Sequence, residues 1–146
     1  MPASITLPPR GSASFTASGG NGAFTFSLVS TGSGTPAVTP TGSYTAGNTG
    51  SSTDAVRASD DAGNTATATI TVTAGVSIAP PSAMVTPRGT QTFTASGGSD
   101  AGFTWTMFSA PSGGAIDAAG VYVAGSNGAL NDVVQVTDSL GNQQTA

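Results

Sequence analysis

The sequence contains no cysteine, histidine, lysine or glutamate. Each absence removes a piece of chemistry. Without cysteine there are no disulfides, which suits an exported protein built without them and equally suits a reducing compartment. The usual general bases and activated nucleophiles are also gone, leaving Asp, Ser, Thr and Tyr. A Ser–His–Asp triad cannot be assembled, and the preferred ligands of zinc are lacking. The absence of lysine excludes a Lys–Asn isopeptide cross-link. Charge is scarce too, at 7% of residues: three cations, Arg10, Arg57 and Arg88, against seven aspartates, for a net charge of −4. No basic cluster exists to meet nucleic acid or anionic lipid, so neither is expected as a partner. No apolar run approaches the roughly 20 residues of a membrane span, and the start MPASITLPPR lacks the charged and apolar regions of a signal peptide. Membrane insertion of this segment is not expected, and a secretion signal is expected outside it.

What the sequence has instead is Gly and Pro, 21 and 9 residues respectively, and hydroxyl side chains that keep it soluble without ions. Such a composition would suit disorder if patterned apolar residues were absent; here they are present. The organising feature is an internal repeat. RGSASFTASGG at Arg10 to Gly20 returns as RGTQTFTASGG at Arg88 to Gly98, 78 positions on. FTFSL at Phe24 matches FTWTM at Phe103, GSYTAG at Gly42 matches GVYVAG at Gly120, Asp54 matches Asp132, and DDAGN at Asp60 matches DSLGN at Asp138. The repeat predicts two domains, 1–74 and 75–146, the first with an incomplete N-terminal strand and the second with a truncated C-terminal strand. Both ends read as cuts inside a longer array, and an incomplete strand invites self-association through edge pairing or strand exchange.

Period-two alternation dominates within each copy. It places Phe24, Phe26 and Leu28 on one face, and does the same for Phe103, Trp105 and Met107, for Val56 and Ala58, for Val134 and Val136, and for Ala66, Ala68, Ile70 and Val72. These positions are the expected core. Turn signals such as GGNG at Gly19, AGNTG at Ala46 and DAGN at Asp61 separate the runs. Short strands at intervals of roughly 8 to 12 residues, with no helical stripe, predict an all-β sandwich or barrel.

The FTASGG strand, the aromatic strand ending in Ser, the G-x-Y-x-A-G segment and the closing TATATITV strand together resemble bacterial immunoglobulin-like domains. The resemblance is to the group 2 type found in invasin-like and intimin-like surface proteins, and it covers nearly the whole chain in both copies. It implies two tandem immunoglobulin-like β-sandwiches, extracellular or at the cell surface, acting as a non-enzymatic spacer or adhesion module beside neighbouring repeats of the same protein. No catalytic residue comes with it. The short join TVTAGVSIAPP, with Ala74 and Gly75 between strands and Pro80 and Pro81 just beyond, predicts a stiff connection.

Two sets of residues are candidates for binding. Calcium takes oxygen ligands, and Asp54, Asp60, Asp61 and Asn64, echoed by Asp132, Asp138 and Asn142, place such oxygens beside turn carbonyls. The plainer account is that D-x-x-G-N closes a hairpin through bonds to backbone amides. Asp60 and Asp61 are neighbours, so in an extended segment they point to opposite faces and do not form a glycosidase pair. The aromatic candidates for a surface glycan or protein ligand are Phe108, Tyr44 and Tyr122; the matched places of the two tyrosines favour a core role, with the hydroxyl at the rim. Phe108 falls on the opposite face from Trp105 and Met107 if its strand is regular, and an interdomain contact or a bulge are the alternatives to a ligand-binding role.

Overall fold

The computed structural model describes residues 1–146, in strands, turns and loops without a helix. The chain divides into two compact units, Met1–Gly75 and Val76–Ala146.

In the first unit the strands are β1 (Ser4–Leu7), β2 (Ser12–Ser14), β3 (Phe24–Thr31), β4 (Ala37–Val38), β5 (Ser43–Thr45), β6 (Ser52–Asp60) and β7 (Thr65–Val72). They form two sheets, ordered β1-β7-β6-β3 and β2-β5-β4. β1 runs parallel to β7, with Ser4 opposite Thr69 and Leu7 opposite Val72; every other pair is antiparallel. Alternation explains the β6–β7 hairpin. Val56 and Ala58 on one strand and Ala68, Ile70 and Val72 on the other turn inward and are buried, while the intervening Thr67, Thr69 and Thr71 stay wet. Burying each of Val56, Ile70 and Val72 contributes roughly 1.5–3 kcal/mol.

The second unit contains β8 (Ser77–Ala79), β9 (Thr90–Thr92), β10 (Thr94–Ser96), β11 (Thr104–Ser109), β12 (Ala115–Ile116), β13 (Val121–Val123), β14 (Val133–Thr137) and β15 (Gln143–Thr145). Its sheets are β11-β14-β15 and β12-β13-β9, and β8 pairs with β10. β11, β14 and β15 repeat β3, β6 and β7, while β9, β13 and β12 repeat β2, β5 and β4.

In each unit the core joins residues from both sheets. Phe15, just after β2, meets Tyr44 of β5 edge to face at 6.1 Å, and both pack with Phe26, Val56 and Ile70 from the opposite sheet. In the second unit Phe93 meets Tyr122 at 6.4 Å and Trp105 at 6.3 Å, over Val134 and Val136. Each unit is an immunoglobulin-like β-sandwich.

The structure refines the sequence reading at several places. Ala66, expected in the core, is exposed, because β7 turns its inward face to the core only from Ala68 onward. Phe108 is exposed, on the face that alternation expects, and the bulge named among its alternatives is present as a register shift between Met107 and Ser109, matched in the first unit by one between Leu28 and Ser30. It is the bulged residue of β11 rather than a member of a regular alternation. Phe15 and Phe93, conspicuous in FTASGG but outside any predicted strand face, are central core residues.

Candidate functional site

The candidate acids separate into two networks at opposite ends of the long strand of each unit. At the start of β6, Asp54 is fully buried. Its Oδ1 accepts the Ser33 amide at 2.8 Å, and its Oδ2 accepts the hydroxyls of both Ser33 and Tyr44. The Ser33 hydroxyl oxygen in turn accepts the Gly47 amide at 2.8 Å. One carboxylate therefore satisfies three donors and ties β6 to the loop after β3 and to β5 in the opposite sheet. Burial, then the bond to Asp54, pushes the Tyr44 phenol well above its ordinary pKa. The tyrosine hydroxyl is thus inside the network and not at the rim.

The second unit repeats this arrangement with more water around it. Asp132 accepts the Ser112 amide at 2.9 Å, the Ser112 hydroxyl at 2.6 Å and the Tyr122 hydroxyl at 2.7 Å, and the Ser112 hydroxyl oxygen accepts the Gly125 amide at 3.0 Å. Asp132 is half-buried where Asp54 is sealed. Burial raises its pKa, but the bonds from Ser112 and Tyr122 outweigh that and hold it below the ordinary carboxylate value. The Tyr122 phenol is raised, by burial first and by Asp132 second.

At the far end of β6, Asp60 accepts the Asn64 amide at 2.7 Å, the Asn64 side-chain amide at 2.8 Å and the Asn21 amide at 2.8 Å. Those bonds, the Asn64 side chain foremost, lower its pKa. Asp138 does the same with Asn142 (2.8 and 2.9 Å), Leu140 (2.9 Å) and Ser99 (2.7 Å). Burial opposes ionisation of Asp138, yet these donors prevail and bring its pKa to about 2. Asp61 accepts only the Ala23 amide, at 3.0 Å, from the exposed loop. The D-x-x-G-N segment is therefore a clamp: it closes its own hairpin and holds the loop that follows FTASGG. The glycine of that motif is explained by the clamp as well. Gly20 and Gly98 have φ of +64° and +61°, and a Cβ on either would lie 2.4 or 2.3 Å from the aspartate oxygen.

Of the sequence-predicted calcium ligands, Asp60 meets Asn64 and Asp138 meets Asn142, each pair as a donor–acceptor clamp, while Asp54 and Asp132 lie apart from them. Asp54 and Asp60 lie six residues apart on one strand, roughly 20 Å at about 3.3 Å per residue, and no group of three or more acidic side chains is gathered anywhere in the chain. Tyr44 and Tyr122 are core residues, buried beneath their sheets. Of the aromatic candidates, Phe108 alone presents its ring to solvent, at 67% exposure. Sequence reasoning missed Ser33 and Ser112, whose roles rest on contacts 21 and 20 residues away and leave no local signal.

Against known proteins, no family model matches the sequence, and no curated relative is found. Among solved structures the chain is similar to Drosophila N-cadherin EC1-4, at 13% identity and a TM-score of 0.42, over 99% of this chain and 46% of that one. It is similar to the human desmocollin-1 ectodomain at 14% identity and TM-score 0.36, covering 98% and 34% of the two chains. For human protocadherin-24 EC1-2 the values are 14% identity and TM-score 0.38, with 99% and 90% covered. The chain spans less than half the length of the N-cadherin fragment.

Proposed function

We propose that this chain is a non-enzymatic structural and adhesion module, a stiff spacer within a bacterial extracellular or cell-surface protein, in keeping with the resemblance of its repeats to group 2 bacterial immunoglobulin-like domains. The observation that carries the reading is the join. Thr73 donates its amide to Leu7 and its carbonyl accepts the amide of Ser51, both at 2.9 Å. The backbone of Thr73 to Gly75 lies against Gly50 of the first unit. Val76 already packs on the second core, and β8 begins at Ser77. Two residues, Ala74 and Gly75, separate Thr73 from Val76, and a join this short supports the stiff-spacer reading. Small-angle scattering of the chain tests this: a distance distribution with a distinct inter-unit peak supports the spacer, and the broad profile of freely jointed units refutes it.

The non-enzymatic reading is supported by the state of the carboxylates. Asp54, Asp60, Asp132 and Asp138 are engaged by donors of the fold itself, with nothing left over to move a proton on a substrate. The same engagement makes these residues structural clamps in preference to calcium ligands. Millimolar calcium is expected to leave the melting temperature unchanged, and a rise of several degrees would contradict that assignment. A ligand-binding role, to glycan or protein, is favoured by Phe108 alone; retention on a glycan array that Phe108→Ser abolishes would establish it.

A further inference from the structure

β6 is an inner strand of its sheet, between β3 and β7, and alternation sends every second residue of it away from the core. Val56 and Ala58 are buried, and Arg57 between them is exposed. In register with Arg57 stand Ser27 of β3 on one side and Thr67 of β7 on the other. The next outward residue along β6 is Ser59, whose own partners are Thr25 and Thr65. Directly opposed side chains on one face are about 5 Å apart at Cβ, and successive ones along a strand about 7 Å apart. The guanidinium therefore rises from a field of hydroxyls held on a hydrogen-bonded sheet.

Two features separate this arrangement from an ordinary wet face. Neither the Arg57 guanidinium nor the hydroxyls of Ser27, Thr67, Ser59, Thr25 and Thr65 have a hydrogen-bond or ion-pair partner within the protein. No acid shares the face either: Asp54 and Asp60, on the same strand, turn inward and are buried, and Asp61 lies beyond β6 in the hairpin turn. A charge on a sheet commonly guards an edge against pairing, but β6 has a neighbour on both sides and leaves no edge to guard. In the second unit Gln135 of β14 occupies the corresponding place, in register with Thr106 of β11 and Thr145 of β15. That row keeps hydrogen-bonding side chains and lacks the charge.

We infer that the outer face around Arg57 binds an oxyanion carried on a polyol, the sulfate or carboxylate group of an acidic polysaccharide. The guanidinium offers paired N–H donors that fit two oxygens of such a group. The flanking hydroxyls, free both to donate and to accept, meet the sugar hydroxyls on either side. A linear polymer laid across the strands needs no cavity, since the sheet presents a polar side chain about every 5 Å. An exposed ion pair is weak in water, so a single contact is held at about millimolar Kd, and the polymer gains by rebinding along its repeated charges. The site is separate from Phe108 and does not depend on the spacer reading.

The test titrates the whole chain with dextran sulfate, neutral dextran and inorganic sulfate at equal ionic strength, following the backbone amide resonances. Dextran sulfate is expected to shift Ser27, Arg57 and Thr67 saturably, with half-saturation at about millimolar sulfate groups, and to leave the row at Gln135 unmoved. Neutral dextran is expected to shift neither row. Arg57→Gln, which copies the second unit at an exposed position, is expected to weaken binding about fivefold with an unchanged melting midpoint. Arg10→Gln, the same loss of charge elsewhere, is expected to leave binding unchanged. Thr67→Asp, which sets a carboxylate opposite Arg57, is expected to abolish it by pairing the guanidinium. Absence of shifts at the Arg57 row, equal shifts at the Gln135 row or with neutral dextran, or an equal loss with Arg10→Gln would overturn the proposal. So would inorganic sulfate that matches the polymer at the same sulfate concentration, since the face would then hold an adventitious ion only.

Discussion

At the scale of single residues the structure is organised by carboxylates that the fold itself saturates. Replacing Asp54 by alanine strands the Ser33 amide, the Ser33 hydroxyl and the Tyr44 hydroxyl in the interior, at about 1–3 kcal/mol for each group left unsatisfied. Asp54→Ala is therefore expected to lower stability by roughly 3 kcal/mol or more in urea denaturation, and Asp132→Ala by less, because Asp132 is itself only half-buried. Equal losses would contradict the difference in burial. Titration follows from the same bonds. Asp60, Asp132 and Asp138 have lower pKa values folded than unfolded, Asp138 at about 2. Their contribution is whole above about pH 5 and fades as the pH falls from about 4 toward 2. Tyr44 and Tyr122 are shifted upward, so their contribution is whole below about pH 10 and fades as the pH rises beyond it. The urea midpoint should be flat near neutrality and decline on both sides; a midpoint unchanged from pH 7 to 2 would refute the acid limb. Sequence reading found D-x-x-G-N because its bonds span four residues, and paired Asp54 with Asp132 by repetition alone. It could not find Ser33 or the tyrosine hydroxyls as partners, because those contacts form only when two sheets close on each other.

At the scale of the element, alternation carried most of the information. Val56, Ala58, Ile70 and Val72 are inward as the period-two pattern requires. The pattern fails where the backbone leaves regular geometry or the strand outruns the core. Ala66 sits where the opposite sheet no longer covers β7, and Phe108, exposed as alternation expects, marks the bulge where β11 leaves regular geometry. The G-x-Y segment shows how one glycine fixes an element. Gly42 and Gly120 have φ of +92° and +82°, each carbonyl accepts the amide of a core phenylalanine, Phe15 or Phe93, at 2.8 Å, and a Cβ would stand 2.3 or 2.4 Å from that residue's carbonyl oxygen. Gly120→Ala is expected to destabilise the second unit by more than about 1 kcal/mol, read from the Trp105 melting curve. A neutral substitution would mean that β13 and the Phe93 segment are not held this closely.

At the scale of the molecule, one small sandwich is encoded twice. The one tryptophan, Trp105, lies in the second unit and reports on it alone. The most direct test of two independently closed cores is a thermal melt of the chain and of Asp54→Ala, followed by Trp105 fluorescence and far-ultraviolet circular dichroism together. Two separately closed units predict that Asp54→Ala lowers the first unit's part of the dichroism transition while leaving the fluorescence midpoint in place. A single coincident transition that the substitution shifts as a whole would contradict them.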